Sequence, residues 1–254
     1  MIEALYIAAT GMHAEASQID TISNNMANLN TTAYKRQGVS FESLMYQAQE
    51  NGATGSRNQS YGMGAVADKI VRFFEPGDIK SSENWLDVAI SGKGFFEVEL
   101  PNGALAYTRA GNFKLDENGF LSTREGHLLA DRIQMPADSS QLRITDGGDV
   151  YATFPDSSEE LIGSISLAGF MAEQDLDAIS GGLYIANESS GSAFYSEPGD
   201  GGLGLVRQGY VETSNVDLVE EMLSLTMAQR AYEGNSQVIR AADEMMRINN
   251  SLRI

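Results

Sequence analysis

The stretch IEALYIAATGMHAEASQIDTISNNMANL, residues 2–29, carries apolar side chains at Ile2, Leu5, Ala9, Met12, Ala16, Ile19 and Met26. Steps of three and four put these on one stripe, which predicts a helix from about residue 3 to 29. At 1.5 Å per residue the rod is roughly 40 Å long. Its other face, Thr10, His13, Ser17, Gln18, Thr21 and Asn24, carries few charges, whereas a helix solvated alone is usually more charged. The segment Asn24 to Thr32 is rich in Asn, which adopts the left-handed conformation that stops a helix and whose amide bonds stray backbone groups.

The far end of the chain mirrors this pattern. Thr213, Ser214 and Asn215 are N-cap candidates, and Asp217, Glu220 and Glu221 suit the first turns of a helix predicted from about 215 to 251. One apolar stripe runs through Leu218, Met222, Leu225, Tyr232, Ile239 and Met246, and a second through Val238, Ala241, Met245, Ile248 and Leu252. Two stripes need more than one neighbour. Gly234 lies mid-helix at a cost of about 1 kcal/mol relative to Ala and marks a place for a bend.

Between the ends the period becomes alternating. Strands are predicted at Leu86–Ile90, Phe95–Leu100, Leu105–Arg109, Asn112–Leu115 and Phe120–Thr123, with further strands at Leu142–Thr145, Val150–Phe154 and Ile162–Phe170. The punctuation is regular: Gly92-Lys93-Gly94, Pro101-Asn102-Gly103, Ala110-Gly111, Glu117-Asn118-Gly119 and Glu125-Gly126. Short strands at this spacing argue for an all-β module. Residues 47–64 read as a polar loop and Ser196–Gly204 as a second Gly-rich crossing. The fold class is therefore α+β, with long terminal helices and a hairpin-rich centre.

Composition narrows the chemistry. The 254 residues are 42% hydrophobic, enough for a real core, and a net charge of -18 leaves no basic patch for a phosphate backbone, so nucleic acid is excluded as a partner. There is no Cys, and the two His, His13 and His127, lack ligand-like spacing, so no metal, cofactor or catalytic residues are assigned. No apolar run approaches the about 20 residues that cross a bilayer, and residues 1–34 lack the Lys or Arg of a signal peptide, so that segment is expected to belong to the working protein.

Other constellations have simpler readings. Gly199–Gly204 lacks the Lys-Ser/Thr of a phosphate loop, and Asp116–Gly119 lacks the remaining ligands of a calcium loop, so both read as turns. Adjacent acids such as Glu159 with Glu160, or Glu220 with Glu221, diverge on a surface and make a weak case for a hydrolase. A different class of function, an extracellular β-domain binding module or adhesin, would use Trp85, Phe95, Phe96, Tyr107 and Phe113 as a stacking face.

Two terminal segments and two central ones resemble a known family. ATGM at residues 9–12 and ISNNMANLNTTAYKR at 22–36 are similar to the N-terminal signature of bacterial flagellar basal-body rod and hook proteins. GYVETSNVD at 209–217, with Glu220-Glu221-Met222 and Gln229-Arg230-Ala231-Tyr232-Glu233, is similar to their C-terminal signature. LDVAISGKGFF at 86–96 and AYTRAGNF at 106–113 extend the likeness over nearly the whole chain. Within the family the wording and length resemble a distal rod subunit most, then a proximal rod subunit, then a hook subunit.

The resemblance implies an axial, non-enzymatic subunit of a helical tube that transmits torque from motor to hook. It implies export through the flagellar type III apparatus without a cleaved signal, a place in the periplasm-spanning rod, and contact with itself and with other rod and hook proteins. Residues 1–30 and 215–254 would form a coiled-coil core, 31–85 and 205–214 an extended connector with the polar loop, and 86–204 a β-rich outer domain. The assembly interface is expected to use Leu5, Met12, Ile19, Leu218, Met222, Leu225, Arg230, Tyr232, Met245, Ile248 and Leu252. Asn25, Asn28, Asn30 and Thr31 would fix the turn out of the first helix, and Tyr34, Lys35 and Arg36 would begin the connector, Lys35 or Arg36 meeting acidic neighbours.

Overall fold

The computed structural model describes residues 2–47 and 60–251 and divides into two compact units. The first holds the N-terminal segment through Ala27, Gln37–Arg72 and the chain from Asp217 onward, and the second holds Asn28–Arg36 and Phe73–Val216.

In the first unit, helix α1 (Ile2–Ala27) is followed by strands β1 (Gln37–Gln47) and β2 (Ser60–Arg72), and helix α2 (Leu218–Ser251) closes the chain. β1 and β2 pair antiparallel from Gln37 opposite Arg72 to Gln47 opposite Ser60, with register shifts between Ser40 and Phe41 and between Ser43 and Met45. Part of the expected connector is thus extended, but as a paired hairpin. Gln47 and residues 60–64 of the expected polar loop are strand, while 48–59 lie outside the described residues. Glycine there serves packing as well as turning. Gly64, at φ +100°, leaves its β-position to α1, since a Cβ would stand 2.1 Å from Thr10 Oγ1.

The two helices run antiparallel, as two contacts fix: Asn25 donates from Nδ2 to Glu221 Oε2 at 3.3 Å, and Gly11 leaves room for Asn235, whose amide nitrogen would lie 2.8 Å from an added Cβ. Seven-residue steps from these anchors run through Gln18 and Ala4 on α1 and through Ala228 and Ala242 on α2. The seam is built of small and polar residues, so the helices approach closely without spending their large apolar side chains on each other.

α1 ends two residues before the predicted limit, and α2 begins at Leu218 because Asp217 is the cap, its Oδ1 accepting from Val219 N at 2.8 Å and Glu220 N at 3.1 Å. Asn215 does not cap, because its side chain is engaged elsewhere, and Ser214 Oγ accepts from Val216 N. α2 is continuous through Gly234, which faces open space. Gly234→Ala therefore raises the stability of the first unit by about 1 kcal/mol, readable as a later helix transition by circular dichroism.

The second unit contains β3 (Ile79–Ser81), β4 (Val88–Ser91), β5 (Phe96–Glu99), β6 (Leu105–Thr108), β7 (Lys114–Leu115), β8 (Leu121–Ser122) and β9 (Leu128–Leu129). It continues with β10 (Gln141–Ile144), β11 (Asp149–Thr153), β12 (Glu159–Ser164), β13 (Leu167–Gly169), β14 (Asp177–Ile179), β15 (Leu183–Ile185), β16 (Phe194–Ser196), β17 (Leu205–Gln208) and β18 (Tyr210–Glu212). The largest sheet has the order β14-β15-β6-β5-β9-β8-β7. A second joins β10, β11 and β12, and pairs form between β13 and β16, β17 and β4, and β18 and β3. The predicted strand over Ile162–Phe170 is two strands, β12 and β13, which join different partners.

Alternation fixes the inner faces. Val88, Ile90, Phe96, Val98, Phe113 and Val206 belong to the main core, and Trp85 packs on its edge. Phe95, Tyr107, Phe170 and Tyr184 form a second cluster of edge-to-face rings. The aromatics of the adhesin reading are therefore not a stacking face: Phe95, Phe96, Tyr107 and Phe113 are buried in the two cores.

Candidate functional site

The second unit is clasped by an ion cluster assembled from three distant segments. Lys35 Nζ lies 2.6 Å from Glu212 Oε1, and Arg109 donates from Nε to Glu212 Oε2 at 3.0 Å, with Nη2 at the same distance but not aligned to donate. The three side chains are 0%, 1% and 3% exposed for Lys35, Glu212 and Arg109, so the cluster is dry. Lys35 Nζ also donates to the Glu75 carbonyl at 2.7 Å, Arg109 Nη1 to the Gly94 carbonyl at 2.7 Å, and Gly77 N to Glu212 Oε1 at 2.9 Å. Gly77 has no room for a side chain, because a Cβ would stand 2.1 Å from the Thr213 carbonyl oxygen.

Backbone bonds tighten the same place. Ala33 N donates to the Glu212 carbonyl at 2.9 Å, and Arg36 N donates to Asn215 Oδ1 at 2.7 Å. Asn215 Nδ2 reaches the carbonyls of Phe73 and Glu75 at 2.9 and 3.1 Å. The segments that follow α1, follow β2 and precede α2 are thus tied to one another by two residues, Glu212 and Asn215.

Two cations share one carboxylate, and Glu173 adds a smaller favourable charge effect on Lys35. Burial lowers the Lys35 pKa, the Arg109 charge lowers it further, and Glu212 pulls it partly back. The charged ammonium is therefore penalised in the folded state. That penalty is complete below the lowered pKa and vanishes as pH climbs towards the ordinary 10.5. Wild-type stability measured against Lys35→Met, by urea unfolding at a series of pH values, accordingly rises across that alkaline window.

In the first unit, Asn25 is buried and pairs with Gln37 as a strand neighbour would, donating to its carbonyl at 2.8 Å and accepting from its N at 2.9 Å. The following turn is held by Asn28, whose carbonyl accepts from Thr31 N at 3.1 Å and whose Oδ1 accepts from Thr31 Oγ1 at 3.1 Å. Tyr34 N then donates to the Thr31 carbonyl at 3.3 Å, while Asn30 is exposed.

The remaining expected interface residues separate by burial. Leu5, Met12, Ile19 and Leu225 are half-buried, whereas Leu218, Met222, Arg230, Tyr232, Met245 and Ile248 are exposed, and Leu252 lies outside the described residues. Lys35 departs from an outward role. Its acidic neighbour is Glu212 of its own chain, and a fully buried ammonium has no free donor surface.

α2 presents its seam residues Glu221, Ala228 and Ala242 to the interior. Around the rest of the helix Val219, Met222, Leu223, Met227, Val238, Met245 and Ile248 are exposed, Val219 to 76%, so α2 leaves apolar area open on several sides of its seam. Among the described residues no group of three or more potential ligands stands ready for a metal, and no helix is long and apolar enough to cross a membrane.

The comparisons meet this geometry. Residues 5–35 match the family model for flagella basal body rod proteins, 89–152 the D1 domain of flagellar hook protein FlgE/F/G, and 207–252 the C-terminal part of flagellar basal body rod FlgEFG proteins. Each match holds one member of the ion cluster, Lys35, Arg109 or Glu212. The flagellar basal-body rod protein FlgG of Caulobacter vibrioides is 38% identical over 261 residues, covering 99% of this chain and all of that protein. FlgG of Bacillus subtilis is 34% identical over 97% of each chain, and the rod protein FlgF of Mesorhizobium japonicum 30% identical over 94% of this chain and 93% of that one. This chain belongs to the flagellar basal-body rod protein family, with the FlgG proteins of the distal rod. It is a structural subunit of the basal body.

Sequence reading did not place Arg109, Glu212, Asn215 or Glu221 in a site: Asn215 was read as a cap candidate and Glu221 as an acid of the first helical turns. For Arg109 the available signal was a charge that ends the strand segment Ala106-Tyr107-Thr108, whose residues are all buried.

Proposed function

We propose that the subunit polymerises with copies of itself into the tube of the rod and carries torque along it by packing and not by catalysis. In this reading α1 and α2 form a coiled coil through their seven-residue seam, and the open faces are covered by the helices of neighbouring copies. The carrying observation is the apolar surface that α2 leaves open around its seam, Val219, Leu223, Met227 and Ile248 among it. Leu218, Met222, Tyr232, Met245 and Ile248 join that contact, with Leu5, Met12, Ile19, Leu225 and Arg230 at its margins. Other rod and hook proteins meet the ends of the tube, and the flagellar type III apparatus exports the chain. The Lys35–Glu212–Arg109 clasp holds the entry and exit segments of the β unit so that load passes into folded structure and not into loose connections.

The absence of Cys gives a direct test, since a single Leu223→Cys can carry a benzophenone label. Irradiation of concentrated protein is expected to yield a ladder of cross-linked multimers, whereas the same label on Leu161 of the β unit, also exposed, yields far fewer. Absence of intermolecular product from Leu223 at every concentration contradicts the reading.

A further inference from the structure

We infer that Met222, Met227 and Met245 of α2 form a modification site, where peroxide oxidises the free subunit and so blocks assembly. The inference rests on the self-assembly reading above. These residues are 54%, 64% and 52% exposed, and they stand among Leu223 and Ile248, equally open to water. With no Cys in the chain, thioethers are its readily oxidised side chains.

The chemistry needs only a peroxide of the hydrogen peroxide class. The sulfur lone pair attacks one peroxide oxygen, an S–O bond forms as the O–O bond breaks, and the departing hydroxide takes the remaining proton and leaves as water. Sulfur is oxidised by two electrons and peroxide is reduced by two, giving one sulfoxide and one water for each methionine.

A sulfoxide turns an apolar side chain into a strong acceptor. All three side chains are already more than half open to water in the free subunit, whereas the seam residues Glu221, Ala228 and Ala242 are buried, so the oxidised subunit stays folded. The cost falls on assembly, where the acceptor must be buried against apolar neighbours without a donor. Each sulfoxide is expected to raise the concentration needed for assembly at least tenfold. Completed rods are protected, because the same sulfurs are then covered, and methionine sulfoxide reductase reverses the block.

The test treats the full chain with hydrogen peroxide at low protein concentration, maps sulfoxides by peptide mass spectrometry, and then measures assembly by pelleting. Met171, 97% exposed in the β unit, is the internal reference for an unprotected thioether. Expected are oxidation of the three α2 methionines within a few-fold of the Met171 rate, retained circular dichroism, lost assembly, and its recovery after reductase treatment. The triple variant Met222→Leu, Met227→Leu, Met245→Leu is compared with its own untreated assembly, which peroxide is expected to leave unchanged. Oxidised wild type assembling at an unchanged concentration overturns the proposal, as does a Leu variant that peroxide still blocks. Failure of untreated protein to assemble at any concentration instead removes the self-assembly reading, and the proposal with it.

Discussion

Glu212→Gln destabilises the second unit by about 3–5 kcal/mol, the cost of leaving buried charge without its partner. Among the described residues, the Glu212 carboxylate is the one ion-paired with both dry cations, Lys35 and Arg109. Gln keeps the shape and one acceptor but removes the charge, so two like charges remain where water does not reach. Trp85, the sole Trp of the chain, packs on the β core and reports the loss directly. Its unfolding midpoint in urea falls by about 1–2 M. The companion substitutions make the electrostatic origin visible. Lys35→Met leaves one cation on one carboxylate and costs much less, and adding Lys35→Met to Glu212→Gln recovers part of the loss. A double variant no better than Glu212→Gln alone, or a single variant within about 0.5 kcal/mol of wild type, contradicts the clasp.

The second large effect is on assembly and not on folding. Val219→Glu with Leu223→Glu puts two carboxylates on exposed positions in the first turns of α2, where negative charge suits the helix dipole. Unfolding of the dilute chain is expected to change by no more than about 0.5 kcal/mol. A buried unpaired carboxylate costs several kcal/mol, so two of them raise the concentration needed for assembly at least about 100-fold. Sedimentation of wild type and variant across a concentration series reads this out. Equal assembly of the two proteins shows that the face stays wet in the polymer.

Much of the architecture was legible because periodicity reports burial. Apolar steps of three and four located both helices to within a few residues, and alternation located the strands from Val88 to Thr153 except β9, which is only Leu128–Leu129. The β1–β2 hairpin was not legible. Its second strand begins in a Gly- and Ser-rich stretch that carries turn signals, and the structure uses Gly64 there to let α1 lie close. The helix seam was hidden for a related reason. Stripe reading follows the largest apolar residues, whereas Gly11, Ala228 and Asn235 meet because they are small or short. Lys35 carried a clear charge signal, but its partner Glu212 is 177 residues away, a pairing that only the fold supplies.

Asn25 illustrates the boundary between the two kinds of information. Its place in a run of Asn marked a helix end, and that end lies at Ala27. The bonds it makes, to Gln37 across the turn and to Glu221 on α2, follow from tertiary structure alone.

The most direct measurement is electron microscopy of the full chain and of the chain lacking residues 1–30, each over a range of concentrations. The account predicts dispersed subunits when dilute, straight tubes when concentrated, and no tubes after truncation. Full-length protein that stays monomeric at every concentration, or a truncated chain that still forms tubes, contradicts it.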